Sequence, residues 1–465
     1  MVEPQFILLY NPISNEGHLD SWHVLFIDLL RRHGYPVIAM TSDVRGLTAK
    51  LTARGISIGN ELILESINKT SAQNLVTAKS LTKLSSLKKF WNFWNDYYEN
   101  FIYQSHWARR GSTDGVLTKV RGVIQRHALI GLKTIIDLCY ATYRKFQKIS
   151  KYEENVFSES RLNPYIFESD IDRIVGFYSG QISVVFNMYL DAYQQDFASW
   201  TNFKFDEDVP WVGLCITPRP EGDQGYYASK SYQGTCFLDE SFVTEYSKRD
   251  SSKHYEWLPD ITDKFLSHLS CKLTEDILKF AAGRKIVFMG GSIGKQKNLV
   301  RWYELIKLCD VKDWFFVQMG RLNKNNMTQQ DLAALKRVCR NPPSNLFIYP
   351  DYVTDETVFN AVINVSDIIF AVYRDFSRSS NMLSKSANFE KPVLVANDGL
   401  MGRRVIHYQI GLAVESDNVH AMKEGLEMIH HIPNLRLNFE RFRQDFNDTV
   451  MQARLVAFLQ KCGAS

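Results

Sequence analysis

The sequence predicts a two-domain α/β protein whose strands form parallel, doubly wound sheets. Short apolar segments alternate with amphipathic helical segments along most of the chain, which is the pattern of βαβ units. The 465 residues exceed what one hydrophobic core normally organises. The composition, with 45% hydrophobic and 23% charged residues, is globular and excludes collagen-like, disordered and disulfide-scaffold chains.

The first half opens with a βαβ unit. Residues 6–10 form a short apolar strand, and a polar loop at 14–18 leads into a helix with Trp22 and Leu29 on its apolar face. A strand at 37–40 should then pair in parallel with the first strand. Four further segments have the apolar character of strands: 171–176, 211–216, 235–238 and 255–260. The last of them leads out of this domain.

The region from about residue 51 to 152 is instead helical, aromatic and basic. Between 79 and 151 there are fourteen Lys or Arg residues and four acidic residues, so the segment carries +10 and the rest of the chain −6. It is either an interfacial surface that docks on anionic lipid or a helical subdomain whose aromatic side chains form its own core. Aromatic side chains of this kind can also stack on the bases of single-stranded nucleic acid. The rest of the sequence gives no support for that function, so we expect no nucleic-acid partner.

The second half repeats the alternation of strands and helices. A helix is predicted at 298–309, and Asp355 and Glu356 begin another, where carboxylates suit the helix dipole. From residue 439 onward, apolar residues at helical spacing predict one long terminal helix that packs on a large surface. The predicted strands are 285–289, 314–318, 345–349, 367–372 and 392–396.

Cysteine usage and hydropathy favour a cytoplasmic protein. The seven cysteines form no C-x-x-C pair, which is typical of reduced, buried thiols. No segment reaches 18 apolar residues, and the first ten residues lack the character of a signal peptide. Two Asp-x-Asp triplets occur, at 170–172 and 206–208. We interpret both as structural or solvated, because the first opens a predicted strand and the second lies in an acidic loop.

Three loops follow predicted strands at the edge where open α/β sheets bind ligands: 14–18, 290–297 and 377–382. The glycines of the second loop let backbone amides approach an anion, and Lys295 and Lys297 add positive charge. It is not a Walker A loop, because Gln296 stands where Ser or Thr would hold magnesium. The alternative is a turn with solvated lysines.

The third loop places small polar residues before a helix. Ser379 and Ser380, with the amides of Asn381 and Met382, offer donors to a phosphate. Simple N-capping by either serine is the alternative interpretation.

Three segments of the second half together resemble the C-terminal domain of the GT-B glycosyltransferases: 290–298, 347–356 and 379–396. The resemblance implies a GT-B-like fold with two facing Rossmann-like domains and a helical insertion in the N-terminal one. The implied organisation is an acceptor-side domain at 1–265 with its insert at about 65–152, a nucleotide-sugar domain at 266–438, and a terminal helix at 439–465 that crosses back to the first domain.

The resemblance also implies roles for single residues. Lys297, with Gly294, Lys295 and the amides of 379–382, would bind the diphosphate of the donor, and Ser292 stands where a basic residue is often found. Tyr352 and Val353 would border the base. Many retaining members carry an E-x7-E motif, whose glutamates are replaced here by Ser377 and Lys385, and Lys385 would pair with phosphate or a donor carboxylate. Further implied positions, on the acceptor side, are Gly17 and His18.

The predicted activity is transfer of a sugar from a nucleoside-diphosphate donor to a hydroxyl of a glycan or lipid-linked acceptor. Backbone amides and Lys297 would stabilise the leaving group, so no metal and no other cofactor is expected. His18 would be the base of an inverting reaction, or else a surface or capping histidine. The alternatives are a non-catalytic protein that binds sugar nucleotides or glycans, and a nucleotide-sugar 2-epimerase. The insert at 79–151 is the part suited to peripheral contact with a membrane.

Overall fold

The computed structural model describes most of the chain outside the predicted insert. The side chains of residues 18, 19 and 431 are not described. The described ranges are 5–14, 18–67, 162–193, 200, 203–218, 225–262, 271–353, 355–431 and 437–464.

The first half forms a sheet of seven parallel strands in the order β3-β2-β1-β4-β5-β6-β7. Its strands are β1 Phe6–Asn11, β2 Val37–Thr41, β3 Leu62–Ser66, β4 Ile182–Asn187, β5 Trp211–Cys215, β6 Tyr232–Phe237 and β7 His254–Trp257. Its helices are α1 His18–Arg32, α2 Val44–Ala53, α3 Pro164–Phe177 and α4 Glu240–Arg249.

The second half forms a sheet of six parallel strands in the order β10-β9-β8-β11-β12-β13. Its strands are β8 Lys285–Gly290, β9 Trp314–Met319, β10 Leu346–Tyr349, β11 Ile368–Ala371, β12 Val393–Ala396 and β13 Gly411–Val414. Its helices are α5 Lys272–Ala281, α6 Leu299–Leu308, α7 Gln329–Arg340, α8 Glu356–Val365, α9 Met382–Phe389, α10 Gly399–Tyr408 and α11 Val419–His431.

Both sheets are doubly wound, as the sequence predicts. In each sheet the strand order reverses at one point, where β1 lies beside β4 and β8 lies beside β11. Because the strands are parallel, their carboxyl ends share one edge, and ligands of such sheets bind at the reversal point. The loops that follow β8 and β11 are therefore neighbours.

Aromatic side chains fill the core on one face of the first sheet. Trp200 and Trp211 are fully buried and stack with their ring centroids 5.6 Å apart. Phe167, from α3, meets Trp211 edge-on at 5.4 Å. Such offset and edge-on pairs add to the free energy that burial alone contributes.

One predicted strand is wrong. Residues 171–176 belong to α3, which begins where Asn163 accepts a hydrogen bond from the Tyr165 amide and Pro164 occupies the first turn. Proline at that position and an Asn cap both favour a helix start. The missing neighbour of β1 is β4, which the sequence analysis overlooked together with β3 and β13.

The predicted terminal helix is in fact two helices, α12 (Phe439–Asp445) and α13 (Asp448–Lys461). Asn447 is extended between them and accepts a hydrogen bond from the Val450 amide, so it caps α13. Helix α13 lies against the first half: Gln452 donates to the carbonyl oxygen of Leu29 over 2.7 Å, and Arg454 pairs with Glu256 at 2.7 Å.

The chain divides into two compact units. One comprises 1–72, 161–334 and 343–465, and so contains both sheets; the other comprises 73–160 and 335–342. Within the second unit only 335–342 is described, as the end of α7 and the turn after it. The segment at 79–151, for which the sequence leaves a lipid-docking surface and a helical subdomain as alternatives, lies outside the described residues. The predicted boundaries at 265 and 438 stay predictions.

Two further findings concern only the described ranges. None of their helices combines the length and the apolar character that crossing a membrane requires. Six of the seven cysteines are described, and all six are free thiols. Four of them are buried as predicted, whereas Cys271 and Cys339 are half-buried.

Helix α1 buries a histidine that the sequence does not single out. His23 is 1% exposed, and among the described residues its Nε2 atom has no hydrogen-bond partner. Burial, with a smaller contribution from the Lys50 charge, lowers the pKa of His23 to about 3. The folded protein therefore holds this imidazole neutral.

We predict that His23 makes the protein acid-sensitive. In the unfolded chain His23 becomes protonated below about pH 6.5, the ordinary histidine pKa. In the folded chain it stays neutral down to about pH 3, so protonation between these values favours the unfolded chain. The free energy of unfolding therefore has its full value, with respect to His23, above pH 6.5, and it declines as the pH falls from about 6.5 to about 3. His23→Gln should remove a decline of about 1.4 kcal/mol per pH unit in the free energy of unfolding.

Urea unfolding of wild type and variant at pH 7, 6 and 5 measures this difference. His33→Gln is the matched control, since His33 is exposed just beyond the same helix. Equal pH slopes for wild type and His23→Gln would contradict the prediction.

Candidate functional site

The loop after β8 carries a lysine whose ammonium is held in place. Residues 295–297 form one 3₁₀ turn, and α6 follows from Leu299. The Lys297 Nζ atom donates to the carbonyl oxygen of Gly290 over 2.8 Å and to the Tyr373 hydroxyl over 2.7 Å. The positive charge is thereby fixed between the carboxyl ends of β8 and β11.

Two glycines let this loop lie directly against the end of β9. Gly291 and Gly320 have φ angles of +98° and +133°, which side-chain-bearing residues rarely adopt. A Cβ atom on Gly320 would lie 1.9 Å from the carbonyl oxygen of Gly291. The backbone approach at this point is possible only without a side chain.

Arg374 ties the same loop to two other elements. Its amide donates to the Gln296 carbonyl oxygen over 2.9 Å, and its Nη2 atom donates to the Lys295 carbonyl oxygen over 3.1 Å. The same Nη2 atom pairs at 3.0 Å with Asp331, whose side chain is fully buried and forms a capping box with Thr328 at the start of α7. Arg374 thus fixes the lysine-bearing turn from outside.

A buried arginine, Arg404, holds the segment before α9. The Arg404 Nη1 atom donates to the Ser379 hydroxyl over 3.0 Å, while its Nη2 atom donates to the Leu238 carbonyl oxygen over 2.7 Å and pairs with Glu240 at 2.8 Å. Arg404 is 3% exposed. Ser380 makes a long 3.4 Å contact with the Met382 amide, so capping and ligand binding remain alternative roles for these serines.

A second bond joins this segment to the first half. The Arg378 Nη1 atom donates to the Thr217 hydroxyl over 2.9 Å. The Ile216 and Thr217 amides donate to the carboxylate of the half-buried Asp191 over 2.7 and 2.6 Å. Burial raises the pKa of Asp191, and these amide bonds and the Arg378 charge oppose the rise.

Lys385 is not open to a phosphate in this structure. Its side chain is 1% exposed, and its ammonium binds the carboxylate of Glu356 and the side-chain oxygen of Asn360. Lys385 lies in the first turn of α9, and its buried ammonium is stabilised there because the neighbouring helix α8 supplies the carboxylate of Glu356. The expected pairing with a donor phosphate is thus replaced by an internal ion pair.

The other predicted residues differ in their exposure. Ser292, Lys295 and Tyr352 are exposed, Val353 is half-buried, and Gly294 is buried against Asn326. His18 is the first residue of α1, but Gly17 and the His18 side chain lie outside the described residues. The acceptor-side roles of these two positions stay predictions.

The described residues contain no group of three or more His, Cys, Asp or Glu side chains placed to hold a metal ion. Asp170 lies in α3, not at a strand start, and accepts a hydrogen bond from the Tyr10 hydroxyl over 3.1 Å. Asp172 accepts one from the Asp206 amide over 2.8 Å. These contacts give the carboxylates of Asp170 and Asp172 structural roles.

Sequence reasoning missed the residues that hold the loops in position, namely Tyr373, Arg374, Arg378 and Arg404. Tyr373 and Arg374 follow β11 at the sheet edge where ligand-binding loops gather, and that placement was the available signal. Arg404 lies in α10, and the sequence offers no signal for its contacts.

We predict that Gly320→Ala destabilises the protein more than Gly283→Ala. Both glycines have positive φ, but a Cβ on Gly283 meets nothing within 4 Å. Left-handed backbone alone costs alanine about 1–2 kcal/mol. Overpacking against Gly291 should add about 1–3 kcal/mol for Gly320→Ala. Urea unfolding of both variants measures the difference, and equal losses of stability would refute the close approach.

Several solved structures are similar in fold to this chain along nearly its whole length. A glycosyltransferase from Rickettsia africae ESF-5 is similar over 99% of this chain and 99% of its own, with a TM-score of 0.57 and 13% identity. Anabaena HepE, in complex with UDP and glucose, is similar over 98% and 99%, with a TM-score of 0.58 and 9% identity. The alpha,alpha-trehalose 6-phosphate synthase of Burkholderia multivorans is similar over 98% and 96%, with a TM-score of 0.59 and 11% identity.

No protein-family model matches the chain, and no curated protein matches its sequence. At these identities the structural similarity establishes the fold. The chain has the two-domain α/β architecture of the GT-B glycosyltransferases, as the sequence predicts.

Proposed function

We propose that the protein is a glycosyltransferase that moves a sugar from a nucleoside-diphosphate donor to a hydroxyl of a glycan or lipid-linked acceptor. The observation that carries the proposal is the fixed ammonium of Lys297 at the reversal point of the second sheet. Solved structures with this fold include glycosyltransferases, one of them in complex with UDP and glucose. In this proposal the diphosphate lies at the loops after β8 and β11.

The proposed chemistry follows from charge. As the glycosidic bond to the donor breaks, negative charge develops on the departing diphosphate. Lys297 and the amides at the start of α9 can stabilise that charge without reorganising, because their positions are fixed beforehand. These groups supply the electrostatic stabilisation in the proposal, and a metal is not required for it.

We predict that Lys297→Ala weakens nucleoside-diphosphate binding strongly. A thermal-shift panel of ADP, CDP, GDP, UDP and their glucose or N-acetylglucosamine conjugates measures this in wild type and variant. A ligand at 100 times its Kd stabilises the folded protein by about 2.7 kcal/mol. The variant should lose most of that stabilisation, since a hydrogen bond between charged groups contributes about 1.5–3 kcal/mol.

Lys307→Ala is the matched control, because Lys307 is an exposed lysine on the adjoining helix α6. It should retain the wild-type shift. Equal ligand-induced shifts in wild type and Lys297→Ala would show that Lys297 does not bind the diphosphate, and they would contradict the proposed function.

His18 is proposed as the general base that deprotonates the acceptor hydroxyl if the reaction inverts the anomeric centre. His18→Ala should lower kcat by about 10²–10⁴ while leaving nucleoside-diphosphate binding unchanged. The measurement is acceptor-dependent release of the nucleoside diphosphate from the donor that binds best. An unchanged kcat would exclude His18 as the base, and binding without any release would favour the non-catalytic alternative.

A further inference from the structure

The lysine of the candidate diphosphate loops is oriented by uncharged groups. Its ammonium donates to the carbonyl oxygen of Gly290 over 2.8 Å and to the hydroxyl of Tyr373 over 2.7 Å. Among the described residues no carboxylate pairs with Lys297. An ammonium has three hydrogens, so two of them are used within the protein. The third hydrogen and the uncompensated positive charge remain for a ligand.

Other cations near these loops are held by carboxylates instead. Lys385 pairs with Glu356, and Arg374 pairs with Asp331. In each pair the carboxylate cancels most of the attraction that the cation could exert on an anion. A carboxylate beside Lys297 would also hold the ammonium, but it would repel a diphosphate. A phenol orients the ammonium and leaves its charge available.

Tyr373 is itself held firmly enough to orient a flexible side chain. It is 4% exposed, and its ring meets that of Phe376 edge-on, with the centroids 5.1 Å apart. Its amide donates to the carbonyl oxygen of Ala371 over 2.9 Å, and the next residue, Arg374, is hydrogen-bonded to the turn that carries Lys297. Ordering the lysine before the ligand arrives removes that entropic cost from binding.

The ring of Tyr373 makes a second contact with the same ammonium. The Lys297 Nζ atom lies 4.1 Å from the ring centroid, a distance at which the face of an aromatic ring attracts a cation. Tyr373→Phe keeps the ring and removes only the hydroxyl. One conservative substitution therefore isolates the contribution of the hydrogen bond.

We propose that Tyr373 is the positioning residue of Lys297: its hydroxyl takes up one ammonium hydrogen and thereby directs another at the diphosphate of the donor nucleotide. This inference rests on the proposed function. Tyr373 does not touch the ligand, and the effect of its hydroxyl on binding passes through the Lys297 ammonium. The hydroxyl therefore matters for diphosphate binding only while Lys297 is present.

A double-mutant cycle tests this dependence. Calorimetric titration with inorganic pyrophosphate, and with the tightest-binding of ADP, CDP, GDP and UDP, gives the affinities of wild type, Tyr373→Phe, Lys297→Ala and the double variant. We expect Tyr373→Phe to bind both ligands about tenfold more weakly than wild type, as for loss of a hydrogen bond to a charged group. In the Lys297→Ala background the same substitution should change the affinities less than about twofold.

Two further measurements keep the test independent of weak binding and of general damage. Tyr408→Phe is the matched control, because it removes the hydroxyl of another buried tyrosine, which donates to Asp445 over 2.7 Å. It should keep the wild-type affinities. The free energies of unfolding of the four proteins of the cycle, measured in urea without ligand, give a second result. The losses in Tyr373→Phe and Lys297→Ala should be less than additive, since both substitutions remove the same hydrogen bond.

The outcomes separate the two proposals. The role of Tyr373 is wrong, and the proposed function stands, if Tyr373→Phe binds like wild type or weakens binding equally with and without Lys297. Additive losses of unfolding free energy, or an equal loss of affinity in Tyr408→Phe, would overturn it in the same way. If wild type binds neither the nucleotides nor pyrophosphate, the proposed function fails and this inference with it.

Discussion

The parallel pairing of β8 with β11 is the constraint on which the candidate site depends. Ile368 and Ile369 lie in register with Val287 and Phe288, so the two strands end side by side. Residues some 80 positions apart in sequence then meet, and the Lys297 ammonium can bridge the Gly290 carbonyl oxygen and the Tyr373 hydroxyl. A change of register by one residue would turn the strands' side chains to the opposite face and separate these groups.

Five of the six strands of the second half could be predicted from the sequence because buried parallel strands are continuous apolar runs. The sixth, β13, has only four residues, all of them half-buried, and it was missed. The same criterion failed at 171–176, since a short apolar run suits a buried strand and a helix equally. In that segment the choice of helix is determined by the Asn163 cap and by Pro164, which lie seven or more residues upstream. The approximate position of Lys297 was predictable because glycine and lysine in one loop after a strand have a local physical meaning.

The network that holds the site could not be predicted in the same way. Arg374 hydrogen-bonds the backbone carbonyl oxygens of Lys295 and Gln296, and every residue type has such an oxygen, so the sequence gives no indication of these bonds. Arg404 is anchored by the carbonyl oxygen of Leu238, which lies more than 160 positions away in the sequence. Lys385 shows the limit most clearly. Its place in the sequence predicts a phosphate partner, whereas its burial and its contact with Glu356, 29 residues earlier, exist only in the folded chain.

Helix α13 has a consequence for how the protein is made. It follows the second sheet in sequence but covers α1 and β7 of the first half, through Gln452 and Arg454 among others. At about 5–20 residues per second a ribosome needs on the order of 10–40 s to synthesise the roughly 200 residues between β7 and the end of α13. During that interval the nascent first half exposes the surface that α13 later covers, and its assembly is completed only when residues 448–461 have left the exit tunnel.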